Sequence, residues 1–598
     1  MRHLLITALL LLTQALYAGG RCVNVANQKQ FDVAVERINK GEEMHLCLKK
    51  GLYVLNKSVN ARAPLSIESC GAATITSSDE YRNQDRIGVN ATHDVYRIKT
   101  APSTFALLYD SEGKILPVSE SVLDDAGVNY LEGKIQAPSE YVAGTEIKIQ
   151  IPSNLVHLKN KTFPRAFGYL DCGWKVVPFE LVKSDKKFFY CKTLDECPTK
   201  DYQYDRNFYK KQVRFVMFNA EIKPGSVYYD NERIYVPKGV DRFFFLNSQE
   251  KGRTVPSITT GSDAEFRNIG FDGFGGITVN SNAAGRCEIV NCRFRNILGF
   301  ALKVVKENGP VVRPANVKGC TFTDCSIYRD NILIVKSGFE GRSCVTVSNC
   351  VLTRHSEDRV YYKNASGALW VDGDAVVENN VIYNTCRCHL YMNKGEIVAR
   401  GNVMYNTDGF NSRAERNLSG DWGVVYCNHI FYNGNNTERA LENKQHHILL
   451  ESNMVYGAVA YGGDARGIYI DNGRGDVECR DNVVLNVQGY SIDTYNSPLT
   501  NASAVRNSYS GNIVTSKYRL LSGSAVTGSN VPVTRKNMVV STEANKISNI
   551  RVAEDDVRLD DVDASATCSG GKIRVNEGLY KVMKKSPAWK EIKKYVEK

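Results

Sequence analysis

The sequence predicts an all-β fold: a right-handed parallel β-helix with an inserted antiparallel β-sandwich-like domain and short capping helices. Two observations carry this. Asparagine recurs at Asn268, Asn291, Asn349, Asn380, Asn402, Asn428, Asn453, Asn482, Asn512 and Asn537, with Gly319 at the one missing position, at intervals of 22 to 31 residues. A unit that short buries its apolar face only against its neighbours, as in a coil that stacks strand on strand. The marker is followed by a repeated phrase, seen as Asn380-Val-Ile-Tyr-Asn384, Asn402-Val-Met-Tyr-Asn406 and Asn482-Val-Val-Leu-Asn486. Its period-two alternation describes a strand that ends in a turn.

Aligning the coils on this marker gives two columns. The first is Cys292, Cys320, Cys350, Val381, Val403, Met454, Val483 and Ile513, and the second is Phe294, Phe322, Leu352, Tyr383, Tyr405, Tyr456 and Leu485. Both are expected to point inward and pack like on like, while the Asn ladder satisfies backbone groups at each corner. Helical solenoids repeat at longer periods, and the Leu scaffold of leucine-rich repeats is absent. With coils ~4.8 Å apart, roughly ten of them make a rod on the order of 50 Å long.

Taken in chain order, residues 1–18 read as a signal peptide: Arg2, an apolar run from Leu4 to Leu12, then small residues at Ala18-Gly19-Gly20. The mature chain is therefore expected in the periplasm or outside the cell, without a membrane span and as a monomer. Residues 19–100 hold an N-terminal cap and the first coils. Here an amphipathic helix from Gln28 to Asn39 is placed to plug the open end of the solenoid and protect its edge. Over residues 101–250 the ladder vanishes and hairpin signals replace it. Phe105 to Tyr109 turns at Ser111-Glu112-Gly113, and Val227 to Tyr229 turns at Asp230-Asn231 into Ile234-Tyr235-Val236. Residues 251–540 are the main β-helix, and 541–598 form a lysine-rich C-terminal cap.

A net charge of +11 suits an acidic partner, and for an exported β-helix an anionic polysaccharide fits better than nucleic acid. Of the 17 cysteines, Cys292, Cys320 and Cys350 are explained as small core residues, whereas Cys191 and Cys197, in a polar segment, are the disulfide candidates. No Cys-x-x-Cys pair occurs, and Cys386-x-Cys388 lacks a second pair at the usual spacing, so no metal is expected.

The chemistry points to Tyr461-Gly-Gly-Asp-Ala-Arg-Gly-Ile-Tyr-Ile-Asp-Asn-Gly-Arg-Gly-Asp476, where glycines leave room for a ligand beside Asp464, Asp471, Asp476, Arg466 and Arg474. Gly489-Tyr-Ser-Ile-Asp493 follows, with 22 residues between Asp471 and Asp493. If that interval is one coil, stacking sets the two carboxylates roughly 5 Å apart, the spacing at which one attacks a sugar and the other handles the proton with retention. A second alignment puts Asp464 in one column with Asp493, seven residues after Gly457 and Asn486 respectively. Asp471 is thus the candidate nucleophile or base, and Asp493 or Asp464 the candidate proton donor. Turn-capping is the alternative role for each.

Gly367-Ala-Leu-Trp-Val-Asp-Gly373 mirrors Gly467-Ile-Tyr-Ile-Asp-Asn-Gly473 in its order of glycine, aromatic, aliphatic and Asp. It offers Trp370 as a sugar-stacking face and Asp372 as a polar contact, with Trp in the core as the alternative. Arg413, Glu415, Glu438, Glu442, His446 and His447 lie in loops placed to overhang the groove, and Tyr469 and Tyr490 flank the aspartates. The substrate-binding candidates are Trp370, Asp372, Arg413, Arg466, Tyr469 and Tyr490.

This organisation resembles the exported β-helix carbohydrate-active proteins of Bacteroidetes-type bacteria, and in particular glycoside hydrolase families 120 and 141. The resemblance rests on the signal peptide, the early coil, the inserted β domain, the Asn-rich helix with Gly467-Ile-Tyr-Ile-Asp471, and a Ser586-Pro-Ala-Trp589 tail. It implies a cofactor-free glycosidase acting on plant cell-wall polysaccharide or oligosaccharide of pectin or xylan type. In family 120 it implies an Asp nucleophile and a Glu acid/base about one coil apart, matching Asp471 and Asp493; the second is Asp here. Two alternatives stay open. A calcium-dependent lyase on acidic pectin would use Arg466 or Arg474 as base and Asp464, Asp471 and Asp476 as calcium ligands. A glycan-binding β-helix would use the same groove without turnover.

Overall fold

The computed structural model describes residues 22–99, 106–123, 135–136, 142–171, 176–194, 214–247, 255–281, 285–306, 313–326, 331–337, 345–353, 368–385, 388–392, 395–407, 427–433, 447–457, 466–471, 476–487, 490–495, 508–515, 517–522, 533–540, 557–559 and 561–598. The signal segment, Asp464, Arg413, Arg474, Cys197, Glu415, Glu438, Glu442 and His446 lie outside these residues.

Three long parallel sheets wrap one apolar core, so the fold is the expected parallel β-helix. Each coil visits them in turn, as in Ala264–Arg267, Gly270–Asp272 and Ile277–Ser281. Among the described residues the first sheet has 13 strands from Val23–Val25 to Val533–Arg535, the second 13 from Gly51–Val54 to Val557–Leu559, and the third 11 from Val59–Ala61 to Lys517–Ser522. The helix Gln28–Asn39, capped by Asn27, buries Phe31, Ala34, Val35 and Ile38 in the core of the first coils. That spacing of three and four residues is one helical face.

The coils before and after the insertion pair directly, Val59 with Ile258 and Leu65 with Ala264. Antiparallel pairing begins at Asp79–Arg82, which pairs with Arg242–Asn247, before the ladder fades in sequence. A seven-stranded antiparallel sheet forms the body of the insertion. The Asp110–Lys114 turn of the insertion's three-stranded sheet docks on the rod: Arg295 donates to Glu112 O and Asp272, and Asn296 donates to Gly113 O. Gly113 has φ +85°, and any Cβ there would collide with the Arg295 guanidinium.

The Asn marker proves to be two columns. The left-handed turn between the first and second sheets is held by Asn268, Asn291, Gly319, Asn349, Asn379, Gly401, Ser452, Asp481, Gly511 and Lys536, all at positive φ. The residue after each turn points inward, giving Cys292, Cys320 and Cys350 and then Asn380, Asn402, Asn453, Asn482, Asn512 and Asn537, all buried. The alignment read from sequence therefore slips by one residue between Asn349 and Asn380. Asn428 is no rung at all: it lies in Cys427–Asn433 of the third sheet, and Asn402 bonds straight to Asn453.

Each inner Asn is fully used. Asn453 Nδ2 donates to Ala399 O at 2.8 Å and to Asn482 Oδ1 at 3.1 Å, while its own Oδ1 accepts from Asn402 N and Nδ2 at 3.1 and 2.9 Å. In the earlier coils the cysteines occupy the same place, with Cys320 Sγ 3.4 Å from Ile289 O and Cys350 Sγ 3.6 Å from Val317 O.

The slip also inverts the later columns. Phe322, Leu352, Ile382, Met404, Val455, Val484 and Val514 are in register and face the core. Val403, Met454, Val483, Ile513, Tyr405, Tyr456 and Leu485 face outward. They are covered there by Ile573, Leu579, Met583 and Ile592 of the C-terminal segment, which lies along the rod's flank. Both faces of these strands are apolar, so alternation alone does not choose between them.

Cys191 is a buried free thiol in the insertion core beside Phe179 and Phe189, because its strand alternates even where the surrounding segment is polar. Among the described residues the disulfide instead joins Cys22 and Cys47. Since Cys292, Cys320 and Cys350 are buried and free, a thiol reagent should miss all three in the native protein and label them on unfolding. Labelling of the native column, measured by mass spectrometry, would contradict this packing. Among the described residues no helix is long and apolar enough to cross a membrane.

Candidate functional site

The site is built on the outer face of the third sheet. Strands Leu369–Asp372, Cys388–Met392, Cys427–Asn433, Ile468–Asp471 and Tyr490–Tyr495 lie side by side in register. Leu369, Leu390, Ile468 and Ile492 are fully buried and face the core, so by period two their neighbours face out. The outward column holds Lys303, Ile334, Trp370, Tyr391, Tyr469 and Asp493, with residue 431 at the strand position between Tyr391 and Tyr469. Trp370 and Tyr469, the aromatic residues of the two mirrored motifs, thus share one register column.

Trp370 and Tyr391 are partly buried, with ring centroids 5.5 Å apart and planes at 60°. Trp370 Nε1 is buried and has no hydrogen-bond partner among the described residues. Two positions further along the strands, Lys336 pairs with Asp372, and Asn433 with Asp471 and then Tyr495. Of Asp471 the structure describes the strand position and not the side chain.

At the far end of the aromatic row the Arg466 guanidinium lies 3.8 Å over the Tyr469 ring, and its Nε is 2.6 Å from Asp493 Oδ2. Asp493 is 0% exposed. A carboxylate taken this far out of water needs a countercharge, and Arg466 provides it while the ring covers the other side of the cation. Gly467 permits this packing: its N–H donates to Tyr490 O at 2.9 Å, and a Cβ there would sit 2.3 Å from Val484 Cγ1 and 2.5 Å from Ser491 O.

The register corrects the expected pairing of the aspartates. Ile468 pairs with Ile492, so Asp493 stands beside Tyr469, and Asp471 stands beside Tyr495. The coil is longer than the interval from Asp471 to Asp493, which makes the two diagonal neighbours. A strand spacing of ~4.8 Å and a rise of ~3.3 Å per residue put their Cα atoms roughly 8 Å apart. Tyr490 is partly buried at the start of its strand, whose pairing with Lys517–Ser522 shifts register between Tyr490 and Ile492.

Two neighbours escape a reading of sequence. Tyr391 continues the aromatic row without a glycine motif to mark it. His389, on the same strand, is buried; loss of water pulls its imidazole down to about 3, with a contact to Asn406 opposing the shift, so the ring is neutral near pH 7. No ladder motif flags it, because it falls where the register shifts between Cys388 and Leu390.

No protein-family model matches the chain, and no curated protein matches it. Among solved structures it is similar to one described as "Glycoside hydrolase", with 12% identity over 85% of this chain and 91% of the other and a TM-score of 0.44. It is also similar to XylC in complex with xylose, at 9% identity over 88% and 83% with a TM-score of 0.32. A third is the tailspike protein gp49 from Pseudomonas phage LKA1, at 10% identity over 85% and 71% with a TM-score of 0.25. Likenesses this weak leave function to be read from the site itself.

Proposed function

We propose that the chain is an exported glycoside hydrolase that holds an extended glycan along the outer face of the third sheet. The observation that carries this is the in-register row Trp370, Tyr391 and Tyr469, which ends at the Arg466–Asp493 pair and runs beside Asp471. Aromatic faces bury the apolar C–H surface of sugars, and coils ~4.8 Å apart repeat on the scale of a sugar unit. A smooth rod has no need of such a row at its surface.

Asp471 is the carboxylate assigned to the reacting sugar, as nucleophile or as base. Asp493 is the group that positions Arg466, since its Oδ2 is already engaged and its side chain is shielded from the groove. That leaves Asp464, the other donor candidate, to give the proton. Retention was expected from direct stacking of Asp471 on Asp493, and the diagonal register removes that basis: retaining pairs are ~5–5.5 Å apart, inverting pairs ~6.5–9.5 Å. Lys303 and Lys336 border the row, and with the net charge of +11 they favour acidic members of the pectin or xylan class.

Product analysis on a panel of plant and host glycans, with and without a calcium chelator, tests this function. New reducing ends, no unsaturated-sugar absorbance and no effect of the chelator are expected. Unsaturated product that disappears with the chelator would make the protein a lyase, and binding without product would make it a glycan-binding protein. Engagement of Arg466 by both Asp493 and Tyr469 argues against its use as a lyase base.

A further inference from the structure

We propose that the outer face of the first coils holds a site for a thiophilic divalent cation of the zinc class, formed by Cys22, His45, Cys47 and Glu68 when the Cys22–Cys47 disulfide is reduced. The placement follows from strand register. Asn24 pairs with Cys47, and Val23 with Leu46, which sets Cys22 beside His45; Cys47 in turn pairs with Glu68. His45 and Cys47 are two residues apart on Met44–Leu48, whose Met44, Leu46 and Leu48 face the core, so both project outward between the flanking strands.

One ligand atom from each of the four lies within 4.8 Å of all the others. Cys47 Sγ is 3.0 Å from Glu68 Oε1, and His45 Nε2 is 3.4 Å from the same oxygen. Ligands of a tetrahedral zinc ion, at bond lengths of ~2.0–2.3 Å, sit about 3.3–3.8 Å from one another. Small side-chain rotations on adjacent strands close that gap. Two thiolates, an imidazole and a carboxylate form a donor set that selects a soft or borderline cation over calcium or magnesium.

The two states exchange by ordinary chemistry. A dithiol or phosphine reductant supplies two electrons to the Cys22–Cys47 bond and is itself oxidised, leaving two thiols. Binding the cation then releases their two protons to solvent as both sulfurs coordinate. A small-molecule disulfide, by thiol–disulfide exchange, accepts the two electrons and leaves as two thiols, which restores the Cys22–Cys47 bond and expels the ion. The site is remote from the aromatic row and independent of the proposed hydrolase activity, which its loss leaves unchanged.

The full chain, reduced with a phosphine under anaerobic conditions, is titrated with Co²⁺ and followed by absorbance. The expected result is one equivalent bound, with an intense thiolate-to-cobalt charge-transfer band that Zn²⁺ abolishes. His45→Ala and Glu68→Gln alter partly exposed side chains, and each should weaken binding about tenfold or more with the circular dichroism spectrum unchanged. Cys22→Ser should remove half the thiolate band, and Cys70→Ser, which changes the exposed free thiol nearby, should change nothing. A band of equal strength in His45→Ala and Cys22→Ser, a band in the oxidised protein, or no binding to the reduced protein overturns the proposal.

Discussion

Asp471→Asn is expected to lower kcat by on the order of 10³ or more while the protein remains folded. The substitution keeps the shape of the side chain and removes its charge. It therefore leaves the strand Ile468–Asp471 and its pairing with Tyr490–Tyr495 untouched. A turn-capping aspartate would behave otherwise, losing about 1 kcal/mol of stability and little turnover. Asp493→Asn distinguishes the two roles further. It weakens the hold on Arg466, so it should cost stability and raise KM as well as lower kcat, in contrast to the pure kcat loss at Asp471. Steady-state kinetics with a denaturation curve for each variant check both statements.

Asn453→Ala is expected to destabilise the rod by about 3–5 kcal/mol, near the top of the range for a single substitution. It leaves Ala399 O without its donor and Asn402 N and Nδ2 without their acceptor, all in the buried interior. Each orphaned group costs roughly 1–3 kcal/mol, and the lost volume adds a cavity. Cys350→Asn, at the junction of the two ladders, should be far milder, because an Asn there continues the pattern below Asn380, whose Oδ1 already accepts from Cys350 N. Denaturant midpoints of the two variants give the comparison, and equal midpoints would contradict the ladder account.

The fold was legible because its period is written in the sequence, although the marker was ambiguous in detail. Asn suits the left-handed turn, where its short polar side chain tolerates positive φ, and also the inner ladder, where its amide bonds two ways. Asn379 and Asn380 stand side by side in these two roles, and nothing in the local pattern says which continues Asn349. Val381-Ile-Tyr383 is apolar at every position because the C-terminal segment covers its outer face, a long-range fact that no window of alternation contains.

The shared local motif of Trp370 and Tyr469 was legible, and the strand register sets the two in one column. The stacking of Asp471 on Asp493 was not, since one coil length had to be assumed and this coil is longer. The four donors of the proposed cation site were invisible for a related reason. Metal-ligand spacing in sequence assumes a loop or a helix, whereas these donors lie on two strands and just before a third, and only the register brings them together.

The claim that the outer face of the third sheet holds a glycan is tested most directly by a crystal structure of Asp471→Asn protein soaked with an oligosaccharide that the wild-type enzyme degrades. Sugar rings stacked on Trp370, Tyr391 and Tyr469, with the scissile bond beside residue 471, are the predicted result. An ordered oligosaccharide bound elsewhere on the rod, with the row from Trp370 to Tyr469 empty, would contradict it.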